Sequence, residues 1–91
     1  VSESMIHSVV VRDPIGLHAR PVGQIVKAVK ESGLVVTLRT SAGAEALATS
    51  ALRMLALKVK HGESIDIIVK SEDLEVSRTL AITIEALINE G

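Results

Sequence analysis

The apolar residues of this chain change their spacing from one segment to the next, and those changes leave few folds open. Val22, Ile25, Val26 and Val29 stand at i, i+3, i+4 and i+7, the stripe of one helix face, and Gly33 marks the end of that helix. Ile65, Ile67 and Val69 instead alternate with Ser64, Asp66 and Lys70, the period of a strand with one packed face, interrupted only by Ile68. The β-branched run from Met5 to Arg12 reads as a strand, as does Leu34–Thr40. Ser41-Ala42-Gly43 supplies a turn into a short strand around Ala44–Ala48. Leu52, Leu55 and Ala56 have helical spacing within Thr49–Leu57, which gives a short helix with Ser50 near its start. Val76, Leu80, Ile84, Leu87 and Ile88 mark a long amphipathic helix from about Asp73 to Asn89. The order is therefore β-α-β-β-α-β-α. In 91 residues this predicts one α+β domain spanning 1–91, with a mixed or antiparallel sheet and helices on one face.

Composition narrows the function. The formal net charge is −1, so nothing draws the whole molecule towards nucleic acid or anionic lipid. Aromatic residues are absent, which removes the stacking platforms that single-strand and RNA-binding sheets use. Cysteine is absent too, so disulfides and thiolate metal sites are excluded. No apolar run reaches the roughly 18–20 residues of a membrane span. The first residues, Val1-Ser2-Glu3-Ser4, lack the blocks of a signal peptide, and a cytoplasmic location without membrane insertion is expected.

Chemistry concentrates at Gly16-Leu17-His18-Ala19-Arg20-Pro21, where the turn Asp13-Pro14-Ile15-Gly16 enters the first helix. A histidine beside a turn is ordinarily a capping or surface residue. Gly-x-His-x-Arg-Pro at a strand–turn–helix boundary is far more restrictive. The first amides of a helix lack intrahelical acceptors and carry partial positive charge, so an anion attached to His18 would meet them. Arg20 adds a permanent guanidinium able to hold phosphate oxygens. Pro21 suits a first helical turn and biases Arg20 away from helical geometry, while Gly16 permits a sharp turn and keeps the approach to the imidazole open. Imidazole is nucleophilic near neutral pH and, once phosphorylated, is a good leaving group. The sequence offers no P-loop, no carboxylate cluster for Mg²⁺ and no nucleotide pocket. A carrier that receives a phosphoryl group without a metal or cofactor of its own is expected.

These residues resemble the active-site signature of HPr, the histidine-containing phosphocarrier of the bacterial sugar phosphotransferase system. The resemblance extends through Ser50 and its apolar helix, through Leu57-Lys58-Val59-Lys60-His61-Gly62, and into the C-terminal helix. It implies an open-faced β-sandwich in which a four-stranded antiparallel sheet is covered by three helices. It also implies that His18 accepts a phosphoryl group on Nδ1 from phosphorylated enzyme I, which draws it from phosphoenolpyruvate, and passes it to a sugar-specific enzyme IIA. Arg20 matches the family's active-site arginine, with Gly16, Ala19 and Pro21 forming the turn and helix start. Docking of these partners would use Ala51, Leu52 and Leu55, ringed by Lys27 and Lys30, on a protein acting as a monomer. Core packing is the alternative role for the leucines, and a solvated helix face for the lysines.

Ser50 aligns with a serine that a dedicated kinase, HPr kinase/phosphorylase, modifies in many members, and the modified form of some members binds a transcriptional regulator. A phosphate there would put negative charge into the docking patch, whereas an unmodified Ser50 serves as a helix N-cap. Leu47, Thr49 and Arg53 depart from the regulated pattern, and Ile15 replaces a small polar residue before the glycine. His7 and His61 match no functional position and are expected to be structural or exposed. Two alternatives stand beside the carrier: a serine-phosphorylated regulatory binding protein, and an HPr-like domain of a multidomain phosphotransferase. His18 itself weighs against the first.

Overall fold

The structure, a computed structural model, describes residues 4–90. The elements are β1 (Ser4–Val10), α1 (Ala19–Ser32), β2 (Val35–Thr40), β3 (Glu45–Leu47), α2 (Ala51–Ala56), β4 (Ser64–Lys70) and α3 (Leu74–Glu90). The order matches the β-α-β-β-α-β-α expectation. The strand ends are tighter than the sequence suggested: β1 stops at Val10 and β3 keeps three residues.

The four strands form one sheet in the order β1-β4-β2-β3, with every neighbouring pair antiparallel. The last strand in sequence lies inside the sheet, between β1 and β2. Its register pairs Val9 with Ile65 and His7 with Ile67 on one side, and Leu38 with Ile67 and Val36 with Val69 on the other. This alignment puts Ile65, Ile67 and Val69, each at most 1% exposed, under the helices. The opposite face is open. There Ile6, Ile68, Thr37 and Leu47 form one row across all four strands, which accounts for Ile68 in the otherwise polar half of β4. The adjacent row is polar: Asp66 accepts hydrogen bonds from Ser8 Oγ at 2.8 Å and Arg39 Nη2 at 3.0 Å. These contacts hold the Asp66 carboxyl below the usual aspartate range, the Ser8 bond contributing most.

All three helices lie over the packed face. Val22, Ile25 and Val29 of α1 are buried, as the helical stripe predicts, with Val26 half-buried. Each fully buried side chain of this size contributes about 1.5–3 kcal/mol of transfer free energy. Gly33 ends α1 in the left-handed region, and its N–H donates to the Lys30 carbonyl. Ser50 caps α2, its Oγ accepting from the Arg53 amide at 3.3 Å.

Asp73 plays the same part for α3, accepting from the amides of Glu75 and Val76. The buried face of α3 differs from the expected one. Val76 is exposed and Leu87 only half-buried, while Ser77 and Ala81 join Leu80, Ile84 and Ile88 inside. Both small residues are buried on α3, a helix that packs against α1, β1 and β4. In α2 the buried side chain is Met54, while Leu52 is exposed and Leu55 half-buried against the core.

Candidate functional site

Between β1 and α1 the chain is held at several points before it reaches His18. Val11 continues the pairing beyond β1, donating to the Glu63 carbonyl and accepting from Gly62 N. Asn89, near the end of α3, accepts from the Arg12 amide at 2.6 Å and donates to the Val10 carbonyl at 3.2 Å. His61 Nδ1 lies 3.1 Å from the Arg12 carbonyl and 3.3 Å from that of Asp13, so it donates to this segment. Gly16 then turns with φ +84°, and a Cβ there would stand 2.5 Å from the Val59 carbonyl oxygen. The glycine is needed both for its positive φ and for this close approach. The backbone of Val59–His61 fills the space beside Gly16. Leu17 completes the attachment, buried, with its amide on the Val59 carbonyl at 3.0 Å.

Val59 is brought there by an uncommon backbone turn. After α2, Lys58 adopts φ +53°, the only non-glycine with positive φ among the described residues. A side chain in this left-handed region costs about 1–2 kcal/mol. The turn delivers the 59–61 segment to the loop that carries His18.

His18 is the N-cap of α1, with extended backbone at φ −123° and ψ 178°. Its carbonyl accepts the first helical hydrogen bond, from Val22 N, but its side chain makes no cap bond. The half-buried imidazole has Nε2 at 3.2 Å from Asp13 Oδ2. The other carboxylate oxygen, Oδ1, accepts from the Ile15 amide at 2.9 Å. This backbone bond, followed by the His18 contact, holds the Asp13 carboxyl below its ordinary range against an opposing effect of burial. Asp13 was legible in the sequence only as a turn former.

Ala19 and Arg20 occupy the first two helical positions and are exposed; Pro21, third, is buried and has no N–H to leave unpaired. Arg20 is helical despite the proline that follows it, so the expected deviation of its backbone is not present. Its side chain enters no ion pair among the described residues. Lys27 follows Arg20 by seven residues, placing both on one exposed face of α1, with Lys30 beside them.

Among the partner-docking candidates, Ala51 is exposed, Leu52 is 82% exposed, and Leu55 is drawn towards the core. Ser50 is half-buried and committed to its cap. His7 belongs elsewhere, with Nε2 at 2.8 Å from Glu85 on α3. Among the described residues, no cluster of His, Cys, Asp and Glu is placed to hold a metal ion, and no helix is long and apolar enough to cross a membrane.

Comparison with known proteins bears on the family and the fold. Residues 6–89 match the family described as "PTS HPr component phosphorylation site". A phosphocarrier protein NPr from Proteus mirabilis is 39% identical over 59 residues, a stretch covering 65% of this chain and 66% of that protein, just under two thirds of its length. The crystal structure of a phosphocarrier protein HPr from Bacillus anthracis superposes with a TM-score of 0.79 at 20% identity, covering 92% of this chain and 95% of the other. A mycoplasma histidine-containing phosphocarrier protein gives 0.75 at 21% identity, covering 96% of this chain and 100% of that one. These structural likenesses establish the open-faced, four-stranded antiparallel fold with three helices. With the family match extending from Ile6 to Asn89 and through the His18 loop, the chain belongs to the HPr family of phosphocarriers.

Proposed function

We propose that this protein carries a phosphoryl group on His18 Nδ1, taking it from phosphorylated enzyme I and giving it to an enzyme IIA component of a sugar phosphotransferase system. The observation that carries this reading is the placement of His18. It is the N-cap of α1, yet its imidazole is not spent on capping, and Nε2 is engaged by Asp13. That leaves Nδ1 as the nitrogen open to phosphorus. Phosphoryl transfer requires mainly positioning and charge stabilisation. The pinned loop supplies the first. The free amides at the start of α1 and the Arg20 guanidinium supply the second.

The same surface explains how partners would reach the histidine. Leu52 and Ala51 offer an exposed apolar contact on α2, and Lys27 and Lys30 extend the positive face of α1 towards acidic partners. Such steering raises association rates and weakens with salt. Leu55 supports this patch from below. A phosphate on Ser50 would add negative charge at the head of α2 and oppose the same docking.

The direct test is incubation with enzyme I, Mg²⁺ and phosphoenolpyruvate, followed by intact-mass measurement. One added phosphoryl group is expected, labile in acid and absent from His18→Ala. An adduct that survives acid, or that persists in His18→Ala, would overturn the assignment. Arg20→Ala is expected to slow transfer by roughly ten-fold or more, the scale of one charge-assisted hydrogen bond, with an unchanged circular dichroism spectrum.

A further inference from the structure

We infer that Asp13 is a positioning residue that keeps the hydrogen of His18 on Nε2 and so leaves Nδ1 with the lone pair that attacks phosphorus. The inference rests on His18 Nδ1 being the phosphoryl acceptor and adds which side chain sets the tautomer that makes it reactive.

The geometry dictates the tautomer. Asp13 Oδ2 lies 3.2 Å from His18 Nε2, and Oδ1 accepts from the Ile15 amide. An ionised carboxylate has no hydrogen to donate, so the hydrogen between Asp13 and His18 must sit on Nε2. A neutral imidazole has only one N–H, and Nδ1 is then the free base. The arrangement is also well supported. The Asp13 side chain is only 14% exposed, and the Arg12 and Asp13 carbonyls are held by His61 from the facing loop. The titratable groups facing the carboxylate are thus the two imidazoles, His18 directly and His61 across the backbone.

The chemistry balances without moving a proton. The Nδ1 lone pair forms the new N–P bond while the donor's bond to phosphorus breaks, its electron pair returning to the donor. The ring now holds phosphorus on Nδ1 and hydrogen on Nε2, and bears a positive charge. That charge develops next to the Asp13 carboxylate, which stabilises it as the buried aspartate of a catalytic triad stabilises its histidine. On passage to the next acceptor the same steps run in reverse, and Nε2 keeps its hydrogen throughout.

Asp13→Asn isolates this role. The new carbonyl oxygen can keep the Ile15 amide, which turns the NH₂ group towards His18. Nε2 must then accept, and the hydrogen moves to Nδ1. We would record ¹⁵N imidazole spectra of histidine-labelled protein, unphosphorylated and at mildly alkaline pH, together with the rate of phosphoryl uptake from enzyme I. Wild-type His18 is expected to show hydrogen on Nε2. Asp13→Asn is expected to move it to Nδ1 and to slow uptake roughly ten- to hundred-fold. Asp13→Ala, which removes the bias without reversing it, is expected to mix the tautomers and fall between. Asp66→Asn, on the open sheet face, is expected to change neither reading. Hydrogen on Nδ1 in the wild type, or an Asp13→Asn protein with unaltered tautomer or unaltered rate, would overturn the inference. A wild-type protein that takes no phosphoryl group on His18 would instead overturn the carrier reading, and the spectra of the unphosphorylated protein would still decide the tautomer.

Discussion

Gly16 shows how much a single position can decide. Its φ is +84°, and a Cβ there would come within 2.5 Å of the Val59 carbonyl oxygen, so no side chain has a relaxed place. Gly16→Ala is expected to lower stability by about 2–3 kcal/mol, combining backbone strain with a forced shift of the 59–61 segment, measurable by urea denaturation. Lys58 presents the opposite case, a side chain where the backbone favours glycine. Lys58→Gly is expected to raise stability modestly, by up to about 1 kcal/mol, read as a higher urea midpoint. Ser77 is a third. Its hydroxyl is buried without a hydrogen-bond partner among the described residues, so Ser77→Ala is expected to stabilise the protein by about 1 kcal/mol. The sequence singled out His18, Arg20 and Gly16 as candidates because their residue types and spacing are restrictive. Asp13 was hidden because a contact across five residues of loop follows no helical or strand period, and Asp-Pro already reads as a turn.

Among the elements, the alternation of Ile65, Ile67 and Val69 and the stripe of Val22, Ile25 and Val29 were legible because hydrophobic period reports one-sided burial directly. The inner face of α3 was not. Hydropathy favours Val76 and Leu87, but the packed face also takes Ser77 and Ala81, whose small size suits a crowded interface. The same limit applies to α2, where Met54 goes inside and Leu52 points to solvent. A single turn of apolar spacing cannot separate a core leucine from a docking leucine. The sheet order β1-β4-β2-β3 was likewise out of reach, since which strand enters the middle depends on long-range pairing. At this scale Ser50→Ala is expected to cost about 1 kcal/mol through loss of the α2 cap, read from a thermal melt.

For the whole molecule, two carboxylates link stability to acid. Asp66, held by Ser8 and Arg39, and Asp13, held by the Ile15 amide and His18, both have folded-state pKa values below their unfolded value of about 3.9. Their contribution is present above that unfolded value and is lost as pH falls through the lowered folded values. Thermal melts at decreasing pH are therefore expected to show a stability loss in the acid range that Asp66→Asn makes shallower. A pH-independent difference between the two proteins would contradict this. At this scale the sheet and its helix layer hold His18, half-buried, at the start of α1. The measurement closest to the central claim is a ³¹P–¹⁵N correlation spectrum of the histidine-labelled protein after incubation with enzyme I and phosphoenolpyruvate. Phosphorus bonded to His18 Nδ1 is the expected result. Phosphorus on Nε2, on His7 or His61, or on a serine oxygen would contradict it.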